Sequence, residues 1–427
     1  MEKITKRIIE DDIASALREV PAIFVEGAKG VGKTVTSRLF AKTFLQLDKP
    51  AVREALANDT EAIAKMEPPV LIDEWQFVPE IWNTVRRLVD DGAPPGSFIL
   101  TGSVSKTTPE LHSGAGRILR KRMRPLSLFE RLAPRSPVSI GALLAQPRPF
   151  SLRLSGTCAA NIAAYAAEMV KSGFPGIRKY SEQRASEMLE SYIQYAVSRD
   201  IAEQGVAVRK PASLMRWFRS YAAATATGAG YTEILDGATA GDGDKPSKAT
   251  TLAYREALER LWLLDELPPW LDGGDYFSRL KQTPRHHLAD PALACSLLGI
   301  DTADLLAGRA ESRFDAKHGT FAGRLFESLV VQSARTYADA NRAAVSYFRT
   351  QNGDREIDII VQKKRRVVAL EVKLSPTVTN DDTRHLAWLK GQLGGNLADA
   401  AVLTTGSECY RRKQDGIAVI PAALLCP

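Results

Sequence analysis

The stretch "VEGAKGVGKT", residues 25–34, decides the fold of the amino-terminal part of this chain. It fits the spacing G-x-x-x-x-G-K-[ST], in which glycines let the backbone wrap a triphosphate and aim its N–H groups at anionic oxygens. The matching positions are Gly27, Ala28, Lys29, Gly30, Val31, Gly32, Lys33 and Thr34. In such a loop the lysine, here Lys33, reaches the β- and γ-phosphates of ATP, and the hydroxyl of Thr34 binds Mg²⁺. The stretch therefore predicts an ATP site with a magnesium cofactor.

Three short apolar runs, "PAIFVEG", "PPVLIDE" and "GSFILTG", are arranged around this loop in the sequence. Each is bounded by Gly or Pro and is apolar on both alternating faces, which is typical of strands buried on both sides of a parallel sheet. Amphipathic helical stretches separate them, with "KTVTSRLFAKTFLQL" directly after the loop and "PEIWNTVRRLVDD" further on. The alternation predicts a doubly wound α/β domain of the P-loop NTPase kind.

Polar residues follow the second and third apolar runs. We expect Asp73 to hold the metal through water and Glu74, beside it, to polarise the attacking water. Thr101 and Ser103 end the third run, where a γ-phosphate sensor would lie, and Ser103 is our candidate for a catalytic role there. A simple strand-end turn is the alternative explanation for these two residues.

A basic stretch, "GAGRILRKRMRPLSLFE", comes next in the chain. Transition-state charge on a transferring phosphoryl group is commonly met by an arginine, often one from a neighbouring subunit. Arg117 is our candidate for this catalytic role, which would act within a homo-oligomer. Two alternatives remain open, a basic loop that contacts nucleic acid and one that is simply solvated.

A second charged stretch, "REIDIIVQKKRRVVALEVK" at residues 355–373, is predicted to form a β-hairpin. If its turn is centred between Lys364 and Arg365, antiparallel pairing brings Asp358 opposite Glu371, with Cβ atoms about 4.5–5.5 Å apart. That separation suits two carboxylates that share one Mg²⁺. Period-two alternation also puts Lys373 on the face of Glu371, where it could stabilise phosphate charge or orient the attacking water.

Glu327, in the helix that precedes these strands, is the candidate third ligand of this metal. Two ionised carboxylates at such a distance repel each other, and a bound cation would relieve that repulsion. The alternative is an exposed hairpin whose acids and bases are merely solvated, because charge alternation is common on half-exposed strands.

The order of motifs resembles the ATP-binding proteins of the AAA superfamily that carry a restriction-endonuclease-like C-terminal domain. The motifs are "GAKGVGKT", "VLIDEWQ", "ILTGS", "GAGR", "RPLSLFE", then "GFPG" at 173–176 and "SRDI" at 198–201. After residue 315, the predicted order of helix, three strands, helix and strand is similar to the core of such nucleases. The resemblance implies an ATPase core followed by a PD-(D/E)xK nuclease-like α/β domain.

The length of 427 residues favours two or three domains. We expect boundaries at 1–150 for the AAA-like ATPase domain, 151–309 for a helical region and 310–427 for the nuclease-like domain. In the helical region, "SKATTLAYREALERLWLLDELPPW" resembles a winged helix in which Lys248 and Arg255 could touch DNA, although such helices are just as often packing adaptors. His286 and His287 are predicted to lie in a turn rather than to bind metal.

The formal charge of +7 is a weak indication of a nucleic-acid partner for a chain this long. The four cysteines lie far apart and fit reduced thiols. No apolar segment approaches the roughly 18 residues of a membrane span, and the start of the chain lacks a signal-peptide pattern. We therefore expect a cytoplasmic protein without a membrane partner.

Two hypotheses follow from these patterns. In the first, ATP hydrolysis controls a Mg²⁺-dependent enzyme that binds or cleaves DNA or RNA. In the second, the protein is a nucleotide-dependent switch or binding module, and its C-terminal domain recognises a partner without cleaving it. The modest charge slightly favours the second.

Overall fold

The apolar runs near the amino terminus form one parallel sheet in the computed structural model. The structure describes residues 5–102, 114–134, 138–203, 210–239, 246–271, 282–311, 319–350 and 352–427. The strands are β1 Ala22–Glu26, β2 Thr43–Gln46, β3 Val70–Asp73, β4 Phe98–Gly102 and β5 Ile118–Arg122, in the order β2-β3-β4-β1-β5. Because neighbouring strands pair in parallel, their carboxyl ends share one edge of the sheet. The predicted parallel α/β domain is confirmed.

The helix predicted directly after the glycine-rich loop is shorter than the sequence pattern indicated. It spans Lys33–Arg38, and the residues that were expected to continue it form β2 instead. Phe44 pairs with Leu71 of β3, so β2 covers what would otherwise be an unpaired edge of the sheet. Tertiary pairing thus overrides the local helical pattern here. The other helices of this part are Ile9–Leu17, Pro50–Asn58, Glu80–Asp90, Leu128–Leu132 and Ile140–Ala145.

The basic stretch after residue 116 is a strand, not a loop. Residues Ile118–Arg122 form β5 at the other edge of the sheet, where Ile118 pairs with Ala22 and Arg122 with Glu26. Ile118 is buried, whereas the basic side chains that follow it are partly exposed or exposed. An edge strand can carry such charges because one of its sides remains unpaired.

The middle of the chain is helical, as the periodicity predicts. Its helices are Ile162–Val170, Pro175–Arg178, Glu182–Tyr195, Ile201–Glu203, Pro211–Ala223, Tyr231–Ala238, Lys248–Arg260, Pro291–Leu298 and Thr302–Leu306, with a π-helical turn at Ala196–Asp200. Ser247 caps the helix Lys248–Arg260 as expected, and Leu258 and Leu261 are buried. Leu252, nearer the start of the same helix, is 47% exposed. After this helix, backbone bridges join Leu267 to Arg285 and Leu264 to Leu288.

The C-terminal part has the predicted order of helix, three strands, helix and strand. These elements are the helix Phe321–Ala340, β7 Ala344–Arg349, β8 Glu356–Lys363, β9 Arg366–Val372, the helix Asn380–Leu393 and β10 Leu397–Thr404. Short strands β11 Tyr410–Arg411 and β12 Ala418–Pro421 complete a mixed sheet with the order β11-β12-β10-β9-β8-β7. The element order is a general α/β arrangement and does not by itself establish a nuclease-like fold.

The hairpin of β8 and β9 has the register that its charged turn predicts. Ile359 pairs with Leu370 and Lys363 with Arg366, so the turn consists of Lys364 and Arg365. Lys364 adopts a positive φ of 56°, which is the backbone geometry that a two-residue hairpin turn of this kind requires.

The end of the predicted ATPase domain contacts the C-terminal sheet. The short strands β6 Val138–Ser139 and β13 Leu425–Cys426 pair in parallel. Gln146 Nε2 donates a hydrogen bond to Asp399 Oδ2 at 2.9 Å. The chain is therefore folded back so that its last residues lie against the end of the predicted first domain.

Cys158, Cys295, Cys409 and Cys426 are all free thiols. None of the described helices combines the length and the apolar character needed to cross a lipid bilayer.

Candidate nucleotide site and carboxylate cluster

The glycine-rich loop connects the carboxyl end of β1 to the helix that begins at Lys33. Three of its residues have positive φ angles, 150° at Gly27, 79° at Gly30 and 102° at Gly32. A Cβ atom on Gly27 would lie 2.2 Å from the Met123 carbonyl oxygen, so only glycine fits at that position. The loop is thus a tight turn at the start of a helix, as the motif predicts.

Lys33 has a buried side chain directed back across the loop. Its Nζ donates hydrogen bonds to the carbonyl oxygens of Gly27 and Ala28, each at 2.9 Å. Burial lowers the pKa of Lys33 to about 8, while Glu74 and Asp73 oppose this shift. The ammonium group is therefore held at the mouth of the loop, in reach of phosphate oxygens that would bind there.

Thr34 and Asp73 meet beneath the loop. Thr34 Oγ1 donates to Asp73 Oδ1 at 2.8 Å, and the Thr101 hydroxyl donates to the same carboxylate oxygen. Asp73 and Thr101 are paired in register on neighbouring strands β3 and β4. A hydroxyl and a carboxylate are the hard oxygen ligands that Mg²⁺ prefers, so this donor set fits the expected metal.

Glu74 follows directly and has an unusual backbone conformation. Its φ of 54° and ψ of 50° are left-handed, which is uncommon outside glycine. Gln76 Nε2 donates a hydrogen bond to Glu74 Oε2. Burial raises the pKa of Glu74, and the nearby Lys33 opposes this effect. A partly buried carboxylate beside the lysine of the loop is suitably located for a general base.

Arg117 does not belong to the same group. It precedes β5 at the amino end of the sheet, whereas the loop follows the carboxyl end of β1. Arg117 Nε instead forms an ion pair with Asp90 Oδ1 at 2.8 Å on the surface. The arginine therefore cannot serve the loop of its own chain, and a role across a subunit boundary stays a prediction. Ser103 lies outside the described residues.

Two further basic residues of this stretch, Arg122 and Arg124, form ion pairs with a buried carboxylate. The Asp265 carboxylate forms ion pairs with the guanidinium groups of Arg122, Arg124 and Arg335, with N···O distances of 2.9, 3.0 and 2.7 Å. Although burial acts against it, these arginines hold the pKa of the Asp265 carboxyl far below its usual range. Neither a solvated loop nor a nucleic-acid contact accounts for Arg122 and Arg124, because both are largely buried in this ion-pair cluster.

The helical region contacts the glycine-rich loop, which the sequence did not predict. Lys29 Nζ forms an ion pair with Asp200 Oδ1 at 2.5 Å, and the Tyr192 hydroxyl donates to the Lys29 carbonyl oxygen at 3.2 Å. A Cβ atom on Gly30 would be 3.7 Å from the ring of Phe174. Phe174 and Asp200 belong to the quoted motifs "GFPG" and "SRDI". These motifs therefore mark the part of the helical region that touches the loop.

In the C-terminal domain, Ile359 pairs with Leu370, and Asp358 and Glu371 are the residues that come next beyond this pair on the two strands. Asp358 Oδ2 accepts a hydrogen bond from the Val372 backbone N–H at 2.9 Å. Lys373 Nζ forms an ion pair with Glu371 Oε1 at 2.9 Å, which agrees with the expectation that both lie on one face. The two-residue alternation thus sets the local geometry correctly.

A residue that the sequence analysis overlooked lies at the centre of this cluster. Arg285 Nη1 forms ion pairs with Glu327 and with Asp358 Oδ1, the latter at 3.1 Å, and its Nη2 pairs with Glu356. Arg285 is 5% exposed. Burial raises the pKa of Glu327 to about 8 despite the arginine, and burial together with Asp358 raises that of Glu371 to about 8.

The predicted metal site of Glu327, Asp358 and Glu371 does not fit this arrangement. Glu327 and Asp358 are directed at the Arg285 guanidinium, whereas Glu371 is bound to Lys373. Among the residues that the structure describes, no group of three or more His, Cys, Asp or Glu side chains could hold a metal ion. The physical reason is that a protein cation already neutralises the carboxylates.

The other candidate residues have partners within the protein. The Arg255 guanidinium lies 4.5 Å from the centre of the Tyr231 ring, and its Nε pairs with Glu259 at 3.2 Å. His286 Nε2 lies 2.7 Å from the Ala229 carbonyl oxygen, while His287 Nδ1 lies 3.2 Å from the Ser328 hydroxyl. The two imidazoles therefore have separate partners. A DNA contact by Lys248 and Arg255 stays a prediction.

Family descriptions match three consecutive parts of the chain. Residues 19–132 match an AAA domain, residues 162–304 a domain of unknown function (DUF8612), and residues 322–425 a domain of unknown function (DUF4143). The first match includes the glycine-rich loop and all five strands of the first sheet. The match and the parallel sheet together support a P-loop, AAA-type fold for this part of the chain. The other two matches carry no description of a nuclease.

Two curated relatives match nearly the whole chain. They are uncharacterized proteins of Mycobacterium bovis and Mycobacterium tuberculosis, each 24% identical over 426 residues, covering 98% of this chain and 84% of the relative. Among solved structures, a Walker-type ATPase of Pyrococcus abyssi has 16% identity and a TM-score of 0.43, covering 69% of this chain and 96% of that one. The ORC2 protein of Aeropyrum pernix has 15% identity and a TM-score of 0.29, covering 71% and 92%. Both structural likenesses are distant.

Proposed function

We propose that this protein binds ATP with Mg²⁺ in the loop Gly27–Thr34 and hydrolyses it. The observation that carries the proposal is the meeting of Thr34 with Asp73 directly beside the buried Lys33. A helix start, a lysine, a hydroxyl and a carboxylate are the groups that P-loop enzymes use to hold a magnesium nucleotide. The match of residues 19–132 to an AAA domain supports the same activity.

Each side chain has a distinct role in this proposal. The glycines allow backbone N–H groups to approach the phosphates, and Lys33 binds the β- and γ-phosphate oxygens. Thr34 directly and Asp73 through water would hold Mg²⁺, which when bound would neutralise charge on the phosphates. Glu74 orients a water molecule toward the γ-phosphate and accepts its proton.

The test is a measurement of phosphate release from ATP by the purified chain, the Lys33→Ala variant and a Lys42→Ala variant. Lys42 is a matched control, because it is an exposed lysine paired with Glu67 at 2.9 Å on the surface. We expect turnover in the wild type and in Lys42→Ala, and none above background in Lys33→Ala. Normal turnover in Lys33→Ala would contradict the assignment of the loop.

A second candidate function, a nucleotide-dependent switch, is favoured by the ion pair of Lys29 with Asp200. Lys29 belongs to the loop, and Asp200 belongs to the helical region that covers it. Bound phosphates would compete with Asp200 for the lysine, so nucleotide binding would weaken this contact. The helical region would then report the nucleotide state to the C-terminal domain, which would recognise a partner without cleaving it.

This candidate is tested by limited proteolysis with ADP, with ATP and without nucleotide, on the wild type and on Asp200→Asn. Glu190→Gln is the matched control, since Glu190 is an exposed acid of the neighbouring helix Glu182–Tyr195. We expect the wild type and the control to show a nucleotide-dependent cleavage pattern and Asp200→Asn to lose the difference. An equal nucleotide response in all three proteins would exclude the switch.

Nucleic acid remains the proposed class of partner for the C-terminal domain, supported by the formal charge of +7. Proposed Mg²⁺-dependent cleavage of DNA or RNA has less support, because Arg285 occupies the centre of the carboxylate cluster. Recognition without cleavage is therefore the form of the proposal that the contacts favour.

A further inference from the structure

The carboxylate cluster of the C-terminal domain contains four acids and two basic side chains. The acids are Glu327, Glu356, Asp358 and Glu371, and the bases are Arg285 and Lys373. Carboxylates brought this close repel one another strongly when they are shielded from water. The cluster therefore needs a cation in order to remain folded.

Arg285 supplies this cation from a different part of the chain. It lies in the segment that precedes the helix Pro291–Leu298, and its backbone exchanges two hydrogen bonds with Leu267 at 2.9 and 3.0 Å. The three carboxylates that it contacts belong instead to the helix Phe321–Ala340, which carries Glu327, and to β8, which carries Glu356 and Asp358. The guanidinium group thus joins two regions of the protein through three separate carboxylates.

The position of the guanidinium group is the one that a metal ion would need. Its Nη1 contacts Glu327 and Asp358 together, so it lies between the two oxygens that would coordinate an ion there. Its planar shape is also well suited to bind several carboxylates at once. The face of the Tyr347 ring lies 5.2 Å from the guanidinium carbon and limits its movement on another side.

One acceptor of the cluster remains open. Glu371 is 7% exposed, and its Oε2 atom has no hydrogen-bond partner among the residues that the structure describes. Its other oxygen is bound to Lys373. The cluster therefore has capacity for a further ligand, but only on the side that the arginine does not fill.

We propose that Arg285 is a built-in cation that excludes divalent metal ions from the carboxylate cluster, and that removing its side chain converts the cluster into a divalent-cation site. The ions concerned are those with a preference for oxygen ligands, such as Mg²⁺ and Mn²⁺. In the wild type the guanidinium group takes the place of the metal. In Arg285→Ala, the oxygens of Glu327, Asp358 and Glu371 become available to an ion and its waters.

The test measures Mn²⁺ binding to the nucleotide-free protein by electron paramagnetic resonance of the free ion. The full chain is compared as wild type, Arg285→Ala, Arg285→Lys and the double variant Arg285→Ala with Asp358→Asn. Any Mn²⁺ bound near the nucleotide loop contributes equally to all four proteins. We expect Arg285→Ala to bind one additional Mn²⁺ ion, and Arg285→Lys and the double variant to bind no more than the wild type.

Two outcomes would overturn the proposal. The first is wild-type binding of more Mn²⁺ than the double variant binds, because the arginine would then not exclude the metal. The second is the finding that Arg285→Ala is folded, as judged by circular dichroism, but binds no more Mn²⁺ than the wild type. If Arg285→Ala does not fold by itself, we expect millimolar Mn²⁺ or guanidinium to restore its folding transition. Failure of both cations to restore folding would also overturn the proposal.

Discussion

The Thr34 hydroxyl donates a hydrogen bond of 2.8 Å to the Asp73 carboxylate, across a sequence separation of 39 residues. Each residue comes from a different motif, one at the helix that follows β1 and the other at the end of β3. Their contact unites the loop and the acid in one site at the carboxyl edge of the sheet. In open α/β sheets this edge is where ligands bind.

Glu74 is expected to act in hydrolysis and not in nucleotide binding. Glu74→Gln removes the base but keeps the shape of the side chain, so ATP affinity should be retained while turnover falls by about 10²-fold or more. Binding of a fluorescent ATP analogue and phosphate release measure the two effects separately. Glu67→Gln, an exposed acid on the same domain, should change neither. Turnover by Glu74→Gln at the wild-type rate would exclude Glu74 as the base.

Gly27 is predicted to tolerate no side chain. In Gly27→Ala the added Cβ would meet the Met123 carbonyl oxygen at 2.2 Å, and φ is 150°. Strain of this kind costs on the order of 1–3 kcal/mol, and the loop should shift and lose nucleotide affinity. The matched control is Gly391→Ala, because a Cβ there meets no atom within 4 Å. Unchanged melting temperature and ATP affinity in Gly27→Ala would show that the loop geometry is wrong.

Asp265 should make stability dependent on pH in the acid range. Its pKa is lowered in the folded protein by Arg122, Arg335 and Arg124, although burial opposes them, whereas the unfolded chain has a carboxyl pKa of about 3.9. As the pH falls below about 4, the unfolded chain takes up a proton that the folded protein does not, so the stabilisation is lost. It is fully present above that pH.

Asp265→Asn should therefore destabilise the protein by about 3–5 kcal/mol at neutral pH, because it leaves buried arginines without their partner. The free energy of unfolding of this variant should also decrease less than that of the wild type as the pH falls into the acid range. Urea unfolding at neutral and acid pH measures both effects. Asp339→Asn is the control, since its side chain is 52% exposed and pairs with Arg124 alone among these arginines, so a smaller effect is expected. Equal effects of the two variants would contradict a special role for Asp265.

No cleavage of nucleic acid is expected from the wild-type protein. Plasmid DNA, linear DNA and RNA are incubated with Mg²⁺ or Mn²⁺ and compared between the wild type and Asp358→Ala. Because Arg285 pairs with Asp358 and Glu327, no metal should be available to activate water there. Cleavage by the wild type that disappears in Asp358→Ala would establish a nuclease and reject this view.

Patterns of short range were predictable from the sequence. The glycine-rich loop, the three buried strands and the hairpin register follow from spacing and alternation over a few residues. Lys363 pairs with Arg366 because a polar two-residue turn lies between them. The end of the helix at Arg38 was not predictable in this way, because β2 is specified by its pairing with β3 and not by its own pattern.

Ion pairs of long range were not predictable. Lys29 and Asp200 are separated by 171 residues, and Arg285 and Asp358 by 73. No periodicity connects such residues, since their contact depends on how whole elements pack. The location of Arg117 was not predictable for the same reason, because only the parallel pairing of β5 with β1 shows that it lies at the amino end of the sheet, away from the loop. Arg285 stands in the polar segment "QTPRHHL", residues 282–288, and nothing in that pattern points to the carboxylates it contacts.

The most direct test of the account is the affinity of the purified chain for ATP with Mg²⁺, measured by isothermal titration calorimetry on the wild type and Lys33→Ala. The account predicts saturable binding of one nucleotide by the wild type and loss of that binding in Lys33→Ala. A folded wild-type protein that binds no adenine nucleotide, or a Lys33→Ala variant that binds it equally well, would contradict the account.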